Sequence, residues 1–163
     1  MSSSTAKPSA AVITISDSCA RGEREDLSGP AVRDRLIHQG FEIISSPVIA
    51  DEQPTIEQTL VRLVEEAQLV VTTGGTGIAE RDVTPEATTA VCSRLLDGIA
   101  EQMRAQGIKK TPLAALSRGV CGVCGRSLVL NLPGSPRGAV ESLEAVIDLI
   151  PHALELLAGK TAH

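Results

Sequence analysis

The residues best equipped for chemistry gather in one stretch, "VVTTGGTGIAERDVTPEAT", from Val70 to Thr88. Its "TTGGTG" places three glycines and three threonines directly after an apolar run. Glycines let the backbone approach a ligand and turn successive amides toward an anion, so Gly74, Gly75, Thr76 and Gly77 read as a phosphate cradle or, more plainly, as a tight turn. Neither common phosphate loop fits. No lysine follows Gly77 to close a Walker pattern, and a dinucleotide fingerprint begun at Gly75 would need its last glycine at Glu80. Two carboxylates, Glu80 and Asp82, stand where a nucleotide loop would otherwise carry positive charge.

Asp82 has two readings. It pairs with Arg81 or supports the helix entrance behind it, or it holds Mg²⁺ against a phosphate, since hard cations take carboxylate oxygens. Asp51 is open in the same way, as a helix-entrance charge or as a second magnesium or base position. "NLPGSPRG" (Asn131 to Gly138) is either a solvated loop or an anion seat built from amides, Ser135 and Arg137. Ser117, in "ALSRG", donates to a substrate or caps a turn.

The elements that must position these residues alternate along the chain. Strand-like runs fall at 11–16, 41–50, 68–73 and 127–133, with Pro47 pointing to an edge position for the second. Between them the spacing predicts a helix from Ser28 to Gly40, with Ser28 as cap, and one opened by Pro54 with Ile56, Leu60, Leu63 and Val64 on its apolar face. Thr84 caps another with Pro85 at its first position, shorter helical pieces fall near 99–106 and 113–116, and a helical region closes the chain from Gly138. Such alternation predicts a single α/β domain around a mostly parallel, doubly wound sheet. Asp17, Asp51, Gly74–Gly77 and Asn131–Gly134 each follow the carboxyl end of a predicted strand. In open parallel sheets those ends share one rim, and ligands bind there.

Composition narrows the function. With 20 acidic and 15 basic residues, a net charge of −5, and one Phe but no Tyr or Trp, the chain lacks the basic stripe and stacking platforms of a nucleic-acid binder. Residues 1–10 are small and polar, read as a disordered tail without an apolar signal core, followed by one domain over 11–163. No stretch approaches membrane-spanning length, and a cytoplasmic protein is expected. Of the four cysteines only Cys121 and Cys124 form a C-x-x-C, too little for a zinc site, so the thiols read as small hydrophobes.

"TTGGTGIAERDVTPEAT", with "ISDSCARGEREDLSGP" upstream and "NLPGSPRG" downstream, resembles the molybdenum-cofactor biosynthesis proteins of the MogA/MoaB type, to which the G domain of gephyrin also belongs. The likeness runs from about residue 10 to residue 158. It implies a three-layer α/β/α sandwich, usually trimeric, that adenylylates molybdopterin with ATP and Mg²⁺ and hands the product to a MoeA-type molybdate-inserting protein. By that resemblance Asp51 and Asp82 are the catalytic, magnesium-associated pair, and Gly74, Gly75, Thr76 and Gly77 cradle nucleotide phosphate beside Asp17. Ser117, Pro133, Gly134, Ser135 and Arg137 then belong to the pterin side. Two other activities remain compatible with the residues: a non-catalytic molybdopterin carrier of the MoaB type, and nucleotide hydrolysis of the CinA kind.

Overall fold

The computed structural model describes residues 6–160, so the first five residues of the expected tail and the last three of the chain lie outside the described residues. Its centre is a seven-stranded sheet. Parallel strands β1 (Ser9–Ile15), β4 (Leu69–Thr73) and β7 (Ser127–Leu132) lie side by side in the middle. Two short parallel pieces, β2 (Glu42–Ser45) and β3 (Val48–Ile49), share the outer side of β1. Pro47 sits between them, and its carbonyl accepts from the Thr14 amide at 2.9 Å, so the proline interrupts an edge strand as its missing N–H requires. On the far side β6 (Cys121–Cys124) runs antiparallel to β7, and β5 (Arg94–Leu95) antiparallel to β6.

The central strands are apolar at nearly every position because both faces are covered. Ala10, Val12, Leu69, Val71, Leu128 and Leu130 point into one core. That core is closed by α2 (Ser28–Gln39), α5 (Asp97–Ile108), α6 (Pro136–Glu144) and α7 (Ile150–Leu157). Ala11, Ile13, Ile15, Val70 and Val129 point the other way, against α3 (Gln53–Val64) and α4 (Thr84–Val91). These are the three layers of an α/β/α sandwich. A seventh helical piece, α1 (Asp17–Ala20), is a single turn at the end of β1.

Several expectations need correction. β1 starts at Ser9, inside the segment read as a tail, because Ser9 and Ala10 pair with Glu42 and Ile43. The "CGVC" thiols pack as the small hydrophobes expected, but on a strand the spacing did not announce: β6 and β7 form a hairpin in which Cys124 faces Ser127. Ser28 does not cap α2. Its hydroxyl bonds the Thr73 hydroxyl at 2.9 Å, while Asp26 takes the Gly29 amide at 3.0 Å. Thr84 is the first residue of α4 rather than its cap, and the closing helical region is broken at Ala145 and Val146, with a 3₁₀ turn (Ile147–Leu149) between α6 and α7. No helix among the described residues is long and apolar enough to cross a membrane.

Candidate active site

Strand register decides what meets at the rim. Ile15 stands beside Ile49, Thr14 beside Thr73, and Thr73 beside Leu132, so β1, β3, β4 and β7 end level with one another. The segments leaving those ends carry Asp17, Asp51, the glycine loop and Pro133–Gly134.

The glycine loop is held from several sides. Gly74 and Gly75 adopt φ of 95° and 68°, which side-chain-bearing residues rarely do. A Cβ on Gly74 would strike the Ile15 carbonyl, and one on Gly75 would strike the Thr84 hydroxyl and stand 3.2 Å from Asp51 Oδ1. Thr84 earns its place by folding back: its hydroxyl donates to the Gly74 carbonyl at 3.0 Å and its amide to the Gly75 carbonyl at 3.1 Å. Arg118 completes the clasp. It donates Nε to the Gly77 carbonyl and Nη2 to the Asp82 carbonyl, both at 2.7 Å, and Nη1 to both Glu86 oxygens at 2.9 Å. Nothing in "ALSRG" distinguishes that arginine from a solvated one, so the sequence reading missed it.

The carboxylates are oriented by backbone amides. Asp82 Oδ2 accepts from the Ala79 amide at 3.0 Å, closing the turn after the glycines, and Asp82 does not pair with Arg81. Asp51 Oδ2 accepts from the Asp17 amide, and Asp17 Oδ1 accepts from the Asp51 amide, each at 2.9 Å. Arg81 lies against Asp17 with two bonds, Nε to Oδ2 at 3.0 Å and Nη2 to Oδ1 at 2.9 Å. Burial raises the Asp51 carboxyl above its ordinary range, and the neighbouring charges of Asp17 and Asp82 add to that. The Asp17 carboxyl goes the other way, lowered by its hydrogen bonds from Arg81 and then from the Asp51 amide.

Two cavities open at this rim. The larger, of about 530 Å³, is bordered by Thr76, Gly77, Ser117, Pro133 and Ser135, with Met103, Leu113 and Leu116 supplying apolar wall. The smaller, of about 280 Å³, is bordered by Asp51, Gly74 and Ser16, with Arg24, Asp26 and Ser28 from the loop that leads into α2. Gly75, Asp82 and Gly134 border both. Two expected site residues border neither: Asp17 is turned onto Asp51 and Arg81, and Arg137 is 88% exposed along α6, bonded to Glu141 at 2.9 Å. Ser117 Oγ accepts weakly from the Gly119 amide at 3.4 Å, and Ser135 caps α6 by accepting from the Gly138 amide at 3.1 Å. Asp26, which the sequence reading gave no role, accepts from the Thr14 hydroxyl at 2.7 Å and so fixes that loop to β1.

A mostly parallel α/β sheet with two cavities meeting at an acidic glycine loop places the chain among open α/β domains whose sheet rim is the place for ligands. A family model described as "Probable molybdopterin binding domain" matches residues 11–152, and the chain belongs to that family. It is 44% identical over 156 residues to a Helicobacter pylori protein named molybdopterin adenylyltransferase, covering 91% of this chain and 86% of that one. An Escherichia coli protein of the same name is 41% identical over 165 residues, covering 91% of this chain and 84% of the relative. Among solved structures, the molybdopterin biosynthesis enzyme MoaB of Thermus thermophilus superposes with a TM-score of 0.88 at 49% identity, over 94% of this chain and 98% of that one.

Proposed function

We propose that the chain is a molybdopterin adenylyltransferase, with ATP in the smaller cavity and molybdopterin in the larger. An oxygen of the molybdopterin terminal phosphate bonds to the α-phosphorus of ATP. The bond from that phosphorus to the bridging oxygen of the β-phosphate breaks, and pyrophosphate leaves with the electron pair. Adenylyl-molybdopterin is the other product. The observation that supports this reading is the shared border of Gly75, Asp82 and Gly134, at which occupants of the two cavities would meet, with Asp51 alongside on the smaller one. Such a transfer needs no covalent enzyme intermediate and rests on positioning and charge stabilisation.

Asp51 and Asp82 are the residues that would hold Mg²⁺. Each commits Oδ2 to a backbone amide and keeps Oδ1 without a protein hydrogen-bond partner among the described residues. Among those residues no group of three or more His, Cys, Asp or Glu forms a metal cage. Magnesium commonly binds through one or two carboxylates and completes its shell with substrate phosphates and water, so this donor set suits it. When bound there, the cation would supply charge neutralisation between phosphates. The amides of Gly74 to Gly77 would receive phosphate oxygens, and Ser117, Pro133, Gly134 and Ser135 would shape the pterin side. We extend the reading to a homotrimer in the cytoplasm that passes its product to a MoeA-type protein.

The test is mass spectrometry for adenylylated pterin, paired with pyrophosphate release. Product is expected only with molybdopterin, ATP and Mg²⁺ together, and Asp82→Asn should nearly abolish it with the fold intact. Full activity in that variant would remove Asp82 from the site. Molybdopterin binding without ATP consumption in the unmodified protein would favour the carrier reading instead.

A further inference from the structure

We propose that Asp17 is a positioning residue that acts through Asp51, and that Arg81 holds it in that role. The proposal rests on the adenylyltransferase reading of the two cavities. Asp17 borders neither cavity, and its carboxylate is engaged by the Asp51 amide and the Arg81 guanidinium. Its carboxylate instead makes a closed exchange with Asp51, in which each residue's amide donates to the other's carboxylate at 2.9 Å.

That exchange fixes Asp51 twice. The amide of Asp17 takes Oδ2, a contact that a substituted residue 17 would keep, and Oδ1 stands beside Gly75. The carboxylate of Asp17 takes the Asp51 amide, which sets the backbone where the chain leaves β3. Thirty-four residues separate the partners, and β3 brings them together by pairing Ile49 with Ile15. Two carboxylates so close would repel. Arg81 answers this by covering Asp17 with a bidentate bond, the geometry in which a guanidinium recognises a carboxylate best. Arg81 comes from the glycine loop itself, one residue before Asp82. The pair therefore also fixes the loop carrying Asp82 relative to the strand end carrying Asp51.

A double-mutant cycle separates this role from a direct nucleotide contact. Asp17→Ala is expected to lower kcat on the order of 10²-fold, the cost of misplacing a catalytic group, with KM for ATP moving less than about threefold. In an Asp51→Asn background the same change should cost no more than about threefold, because its effect passes through a group already disabled. Asp17→Asn keeps a carbonyl oxygen for the Asp51 amide and should lose only about tenfold. A binding readout runs beside the kinetics: without divalent cation, a fluorescent N-methylanthraniloyl-ATP should bind Asp17→Ala within about threefold of the unmodified protein, and a larger loss would mark a direct nucleotide contact. Should Asp17→Ala fail to fold by circular dichroism, Asp17→Asn carries the same cycle. Multiplicative losses, or a raised KM for ATP with kcat intact, would overturn the positioning role and leave the adenylyltransferase reading standing. Full activity of Asp51→Asn alone would remove Asp51 from the site and overturn the positioning role, whereas absence of adenylylated pterin from the unmodified protein would overturn the adenylyltransferase reading.

Discussion

Arg118 offers a way to ask whether the placement of Asp82 depends on a residue that touches no ligand. Its guanidinium spans two loop carbonyls and a carboxylate, and Arg118→Ala removes all three contacts at once. The pair with Glu86 is exposed on both sides, 39% and 41%, so screening leaves it worth about 0–1 kcal/mol. The two bonds to the Gly77 and Asp82 carbonyls are charge-assisted, and at the low end of their range contribute about 1.5 kcal/mol each. Together the loss of stability comes to roughly 3–4 kcal/mol, less whatever water recovers at the freed carbonyls. The catalytic cost is separate: the Asp82 backbone loses its anchor, and displacement of about an ångström would lower kcat on the order of 10²-fold. Arg118→Lys keeps the charge but not the planar fork, so it should fall between. Urea unfolding gives the first quantity, and pyrophosphate release per folded molecule gives the second. Glu86→Gln serves as control, since it removes only the screened pair. If Arg118→Ala destabilises as expected yet turns over within about twofold of the unmodified protein, Asp82 is positioned by its own turn and the clasp is only structural.

Two further outcomes follow from the cavities and the carboxylates. Among the described residues Arg24 is the only basic side chain bordering the smaller cavity, so Arg24→Ala should raise KM for ATP several-fold with kcat little changed, measured by initial rates at saturating pterin. Asp51, raised by burial and by its acidic neighbours, keeps its proton in the fold at pH values where the unfolded chain has lost it. Stability from this group therefore falls as pH rises from the ordinary carboxylate value of 3.8 through the raised one. The melting temperature of Asp51→Asn, measured without metal, should gain on that of the unmodified protein across this window and hold the gain above it; a difference flat with pH would refute the shift.

The rim was legible because buried parallel strands leave an unmistakable trace. "AVITIS", "QLVVTT" and "SLVLNL" are apolar at both parities, and each runs directly into the residues that carry chemistry. The antiparallel edge was harder. β5 is two exposed residues with no pattern to read, and "CGVC" attracted a question about thiols. Its true signal was Gly125, at φ 61° between two short apolar runs, which is what a two-residue hairpin turn requires. Ser28 and Thr84 misled for another reason. Capping is a local rule, and both hydroxyls are spent on partners reached only through the fold, Thr73 and the Gly74 carbonyl. Asp17 and Arg81 were visible as charges, but a pairing across 64 residues has no periodicity to announce it.

The opening puzzle, carboxylates in a loop that looks built for phosphate, resolves in how the cations are used. Arg118 points at loop carbonyls and Glu86, Arg81 at Asp17, and Arg104 at the Ser117 and Gly119 carbonyls. Each positive charge that fastens the rim is thereby turned onto the protein itself. What faces the junction of the cavities is backbone from Gly75 and Gly134 together with Asp82, and Asp51 stands beside it on the smaller cavity. With Arg24 the basic side chain on the smaller cavity, a junction so composed would favour a polyphosphate that arrives with its own divalent cation over a bare one. On the proposed reading the missing lysine and the added carboxylates are one choice: charge neutralisation would fall to a divalent cation shared between protein and nucleotide, leaving these arginines to hold the geometry.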